Sequence, residues 1–106
     1  MKLLTRSEEL VLLAIWKLQD NAYGITIKEE LERITGKEWS IGAVYAPLHR
    51  IEKKELVSSF QGDPIAERGG RSRVYYQLTR DGKDALLEAK RIHDAGWDDI
   101  PVLGMQ

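Results

Sequence analysis

The stretch "SIGAVYAPLHRIEKKE", from Ser40 to Glu55, leaves the chain few ways to fold. Ser40 suits an N-cap, because its hydroxyl can accept an orphan N–H of the first helical turn. Behind it, Ile41, Val44, Leu48 and Ile51 recur at helical spacing and predict an inward stripe. The opposite face carries Gly42, Ala46, His49, Arg50 and Lys53, flanked by Ala43 and Tyr45. One side of this helix must be covered, while the other is small at its start and basic at its end. Pro47 sits inside it, at the cost of one backbone hydrogen bond and a local kink. Two short β-compatible runs follow, "ELVSSFQ" and "RSRVYYQL". A polar loop containing Gly62, Asp63, Pro64, Gly69 and Gly70 separates them. This predicts a two-stranded hairpin with a long loop. Val74, Tyr76 and Leu78 should face the core, and Arg71, Arg73, Tyr75 and Gln77 should face away.

The flanking segments are helical. Thr5 and Glu8 have capping-box spacing, so a first helix is expected from there to about Gln19. Its run Leu10–Ile15 is apolar nearly all round, which asks for cover on more than one side. In so small a domain, a second subunit can supply it. "DNAYG" interrupts the pattern; Thr26 and Glu29 repeat the capping spacing, so Thr26 is expected to open the second helix. Ile27, Leu31 and Ile34 form its stripe, and Gly36 is placed to end it. Thr79 should cap a last helix on which Leu86, Ala89, His93 and Trp97 share a stripe, with Gly96 and Pro101 limiting its length. The order helix, helix, helix, strand, strand, helix predicts an α+β, mostly α, winged helix-turn-helix. Residues 1–80 would form the DNA-binding part, and residues 81–106 a C-terminal helix and tail within the same compact unit.

Composition narrows the chemistry. The chain has 106 residues, 42% hydrophobic and 31% charged, which suits one globular domain. Cysteine is absent, so disulfides and thiolate sites are excluded. His49 and His93 lack metal-ligand spacing, and no nucleophile–base pattern or phosphate loop is present. An enzyme and a bound cofactor are therefore not expected. With no bilayer-length apolar run and no signal-peptide pattern at the start, a membrane location is not expected and a cytoplasmic one is. The net charge of −1 conceals a split: residues 37–80 hold eight basic and five acidic residues, a local excess of +3. Such a distribution, more than the sum, is what a surface facing phosphates requires.

A helix fits the major groove, so Ser40 to Lys53 suits base and backbone contact. Gly42, Ala43 and Ala46 would let the backbone come close, Tyr45 could meet a base, and Arg50 and Lys53 could reach phosphates. The hairpin would set Arg68, Arg71 and Arg73 beside them. "WSIGAVYAPLHRIEKKELV" together with "ERGGRSRVYYQLT" resembles the PadR-like transcriptional regulators. The pattern is a Gly-x-[LV]-Tyr-x-x-Leu-x-Arg-[LI]-Glu helix, then a Gly-Gly-Arg-x-[RK]-x-Tyr-Tyr-x-Leu-Thr wing. The resemblance runs from residue 5 to about residue 93 and points to the compact subfamily. Many members carry Thr where Ala43 stands and proline where Ala46 stands; here the proline is one place later, at Pro47. The resemblance implies a homodimeric repressor reading a palindromic operator in double-stranded DNA. Ser40, Ala43 and Tyr45 would lie at the groove, with Arg50, Lys53 and Gly69-Gly70-Arg71 on the backbone. The first and last helices would build the dimer, through Leu10, Leu13, Leu86, Ala89, His93 and Trp97.

Each feature also has a plainer explanation. The wing arginines alone could be a charged edge that blunts strand pairing. Tyr75 and Tyr76 read as structural, and Trp16 and Trp39 as core or interface. His49 is balanced between base contact and solvent. His93 and Trp97 belong first to a dimer seam; a flat aromatic effector between two copies is the sharper alternative. A winged helix that binds protein instead of DNA is the competing function. A helix-three surface that is small, polar and basic weighs against it.

Overall fold

Reciprocal bonds open the first helix. Glu8 N–H donates to Thr5 Oγ1 at 3.1 Å, and Thr5 N–H donates to Glu8 Oε1 at 2.9 Å. The structure, a computed structural model, describes residues 3–62 and 73–101. In chain order it has α1 (Arg6–Leu18), a 3-10 turn (Gln19–Asn21), α2 (Gly24–Thr35), α3 (Ile41–Lys53), β1 (Val57–Gln61), β2 (Val74–Leu78) and α4 (Arg80–Trp97). α1 packs on α2, α3, β2 and α4, so it is the central element. Val11, Leu12, Ala14 and Ile15 meet Ile27 and Leu31 of α2, and Val44, Leu48 and Ile51 of α3, in one core closed by Val57 and Tyr76. The apolar run read in α1 is thus largely consumed inside the chain, leaving Leu10 and Leu13 half-buried at its outer side.

Three local expectations need correction. Thr26 is not the cap of α2; the helix begins at Gly24, and Thr26 sits in its first turn. There its hydroxyl accepts the Tyr23 N–H at 2.9 Å and donates to the Asn21 carbonyl at 2.6 Å, tying the 3-10 turn to the helix. Ile41 is 67% exposed rather than part of the inward stripe. It is the first residue of α3, at the end that projects past the core, so the stripe effectively starts at Val44. Val74 is 41% exposed because it pairs with Gln61 at the open end of the hairpin, while Tyr76 and Leu78 do the covering.

Gly36 ends α2 as expected, with φ of 69° and its N–H on the Glu32 carbonyl at 2.8 Å. The hairpin is antiparallel, from Val57 opposite Leu78 to Gln61 opposite Val74. Its root is held by a third segment: Tyr76 N–H donates to the Ala22 carbonyl at 2.9 Å, and Tyr23 bridges to Tyr75. Thr79 accepts the Gly82 N–H at 3.0 Å and donates to the Glu55 carbonyl at 2.7 Å. α4 then leaves the body so closely that a β-carbon on Gly82 would lie 1.9 Å from the Leu56 carbonyl oxygen.

Candidate nucleic-acid interface

Ser40 accepts the Ala43 N–H at 3.1 Å and so fixes the start of α3. The turn leading into it is braced: Glu32 accepts the Trp39 N–H at 3.0 Å and the Lys28 ammonium at 2.9 Å. Those two bonds, the Trp39 N–H foremost, hold the Glu32 carboxyl below the usual carboxylate range. Trp39 in turn donates its ring N–H to Thr35 at 3.0 Å. On this rigid entry Ser40, Ile41, Gly42, Ala43 and Ala46 are all exposed. A β-carbon on Gly42 would meet nothing within 4 Å, so the backbone there is open to approach.

Tyr45 is half-buried rather than splayed outward. Its hydroxyl lies 2.1 Å from where a Gly24 β-carbon would stand, so the absence of a side chain on Gly24 makes room for it. Its ring is 5.8 Å from that of His49, which is exposed, as is Lys53. Arg50 is shared between surface and interior. Its Nε donates to Glu8 Oε2 at 2.9 Å and its Nη2 to Ser7 Oγ at 3.3 Å, and its side chain is 46% exposed. Lys54 Nζ closes on the same carboxylate at 3.1 Å. Glu8 is only 1% exposed. Burial alone would raise its pKa, but the Thr5 N–H, the Arg50 guanidinium and the Lys54 ammonium outweigh it and bring it down to about 2. Capping spacing marked Glu8 in the sequence; its partnership with α3, 42 residues away, had no local signal.

At the loop end of β2, the Arg73 guanidinium lies 4.3 Å from the centroid of the Tyr23 ring, a cation–π distance. Tyr23 meets Tyr75 edge-on at 5.4 Å, and Tyr75 stacks on Phe60 at 5.7 Å. Ser59 donates to Glu52 at 2.7 Å and links β1 to α3. The wing root and the helix are therefore one connected surface. Arg68, Gly70 and Arg71 lie outside the described residues.

The residues expected at a subunit seam lie on α1 and α4. Leu10 and Leu13 line an apolar groove of about 540 Å³ with Trp16, Ile34, Leu86 and Leu87. Ala89 lines a neighbouring hollow of about 370 Å³ with Leu3, Leu4, Leu56 and Ile92. His93 and Trp97 are exposed, with ring centroids 6.2 Å apart. Among the described residues no group of His, Cys, Asp or Glu could hold a metal ion, and no helix is long and apolar enough to cross a membrane.

The sequence profile of the PadR-like transcriptional regulator family matches residues 12–88. An uncharacterized protein X of Lysinibacillus sphaericus is 36% identical over 73 residues, which cover 67% of this chain and 64% of that protein. A PadR family transcription regulator of Clostridium difficile R20291 has a crystal structure with a TM-score of 0.70 and 28% identity, covering 86% of this chain and 90% of that one. The PadR-like regulator of Bacillus cereus ATCC 14579 gives 0.70 at 25% identity, covering 84% and 82%. RosR of H. salinarum gives 0.71 at 26% identity, covering 92% and 81%. The three solved structures share the winged-helix architecture, and the family profile spans all of α2, α3, the two strands and the second half of α1. The chain belongs to the PadR-like family of transcriptional regulators.

Proposed function

We propose that this protein is a DNA-binding transcriptional repressor that reads a palindromic operator as a homodimer in the cytoplasm. The observation that carries this is the face of α3. Its rigidly capped start exposes Ser40, Gly42 and Ala43, its later turns carry His49, Arg50 and Lys53, and the hairpin stands beside it. Small residues admit close approach to base edges and cations attract phosphates. Tyr45 borders the groove-facing patch, and Arg68, Gly70, Arg71 and Arg73 form the wing's contribution. Residues 1–80 act as the reading head and residues 81–106 as the dimerising part. Leu10, Leu13, Leu86, Ala89, His93 and Trp97 supply the seam, and a small aromatic effector between paired Trp97 side chains is a secondary element of this reading.

Selection of bound duplexes from a random DNA pool tests it. Enrichment of an inverted repeat is expected, with half-sites about one turn (~34–36 Å) apart and affinity falling steeply with salt. The double variant Arg71→Ala, Arg73→Ala should lower both affinity and salt slope. Unchanged values for both would remove the wing from the interface.

A further inference from the structure

We infer that Ile41 is a specificity-determining residue that reads the C5-methyl group of a thymine in the major groove. This rests on the DNA-binding reading above. The hydrophobic stripe of α3 would bury Ile41, yet the fold leaves it 67% exposed at the first position of that helix. Its immediate neighbours Ser40, Gly42 and Ala43 are exposed as well, and open space surrounds Gly42. Nothing bulky therefore keeps this apolar side chain from a surface that approaches α3. Ile25, in the first turn of α2, is 56% exposed and lines the same shallow hollow, about 150 Å³, with Gly24, Lys28, Val44 and Tyr45. Two exposed branched aliphatic residues thus sit together where α2 and α3 begin.

The same helix carries exposed His49 and Lys53 and half-exposed Arg50 on the flank away from the stripe of Ile41, and Lys28 lines the hollow of Ile41 itself. A surface laid across α3 must therefore suit cations as well as an apolar point. A DNA major groove meets both demands. Among base edges there, only thymine offers a methyl group, which an aliphatic side chain covers and a polar one does not. Covering it removes apolar surface from water on both sides of the contact. Ile41, at the helix start, is nearer the base-reading end than the phosphate-binding end. Discrimination at this position is therefore against cytosine or uracil through the missing methyl group, not through hydrogen bonds.

The test compares wild type with Ile41→Ala on the duplex selected from the random pool and on duplexes in which each thymine in turn is replaced by deoxyuridine. For wild type, one position per half-site is expected to lose about fourfold in affinity for each methyl removed. Ile41→Ala should show that loss already on the thymine duplex and no further loss on the deoxyuridine one. Unchanged melting of Ile41→Ala separates the effect from misfolding, and Ile41→Val, which keeps a branched aliphatic tip, should retain most of the discrimination. If wild type and Ile41→Ala respond alike at every thymine while both still bind the operator, the assignment of Ile41 is overturned and DNA binding stands. If no duplex is enriched at low salt, both readings fall together.

Discussion

Glu8 is the residue on which several levels of the structure meet. Its carboxylate completes the cap of α1 and, at 1% exposure, binds Arg50 of α3 and Lys54 at the C-cap of that helix. Because its pKa is about 2 in the fold against an ordinary 4.5, the folded state binds its proton more weakly than the unfolded state does. The stabilisation is thus complete above pH 4.5 and is lost as pH falls towards 2. A depression of this size corresponds to about 3 kcal/mol. Chemical denaturation of Glu8→Gln should show a deficit of that order at neutral pH that shrinks steadily below pH 4.5. A deficit that stays constant down to pH 2 would mean that the carboxylate charge is not what stabilises the contact. At the same scale, two glycines in α4 should respond oppositely to alanine. Helix propensity favours the change at both by up to about 1 kcal/mol. At Gly96 nothing lies within 4 Å of the new β-carbon, so Gly96→Ala should raise the melting temperature. At Gly82 the backbone oxygen of Leu56 is 1.9 Å away, so Gly82→Ala should destabilise by about 1–3 kcal/mol despite its better propensity.

At the scale of elements, the wing is held from its root. A backbone bond joins β2 to Ala22, and the rings of Tyr23, Tyr75 and Phe60 with the Arg73 guanidinium form a chain of contacts, edge-on between Tyr23 and Tyr75 and stacked between Tyr75 and Phe60. Arg73 spends part of its interaction capacity on Tyr23, which makes it an orienting group for the hairpin as well as a positive charge. Tyr23→Ala should therefore weaken hydrogen-exchange protection of the β2 amides while leaving the α3 amides protected. Equal loss in both elements would indicate general destabilisation instead of a loosened wing. α3 is fixed from the other side, by the Glu8 cluster and by Ser59 on Glu52.

At the scale of the whole molecule, α4 extends away from the core. Every residue from Lys90 to Pro101 is exposed, and Leu87 and Trp97 are 66% and 56% exposed. Beside them lies the groove of Leu10, Leu13, Trp16 and Leu86. Apolar surface arranged in this way suits a second copy of the chain, as the proposed dimer requires. Sedimentation should find wild type as a dimer at micromolar concentration, and Leu13→Glu should shift it towards monomer by at least tenfold in dissociation constant. A wild type that remains monomeric would leave this face without its proposed partner.

Read without coordinates, the chain already specified its elements and their order. Hydrophobic spacing is a local property, and the caps at Thr5, Ser40, Gly36 and Thr79 act within a few residues of themselves. The central stripe of Val44, Leu48 and Ile51 was legible for the same reason. What only tertiary structure decided depends on distance in sequence. The reach of Arg50 and Lys54 back to Glu8, the closeness of Gly82 to Leu56, and the lodging of Tyr45 over Gly24 join segments with no shared periodicity. Ile41 shows the limit most plainly. Its spacing is that of a core residue, but burial requires a covering surface, and at that end of α3 the start of α2 offers only a shallow hollow in which Ile41 stays 67% exposed.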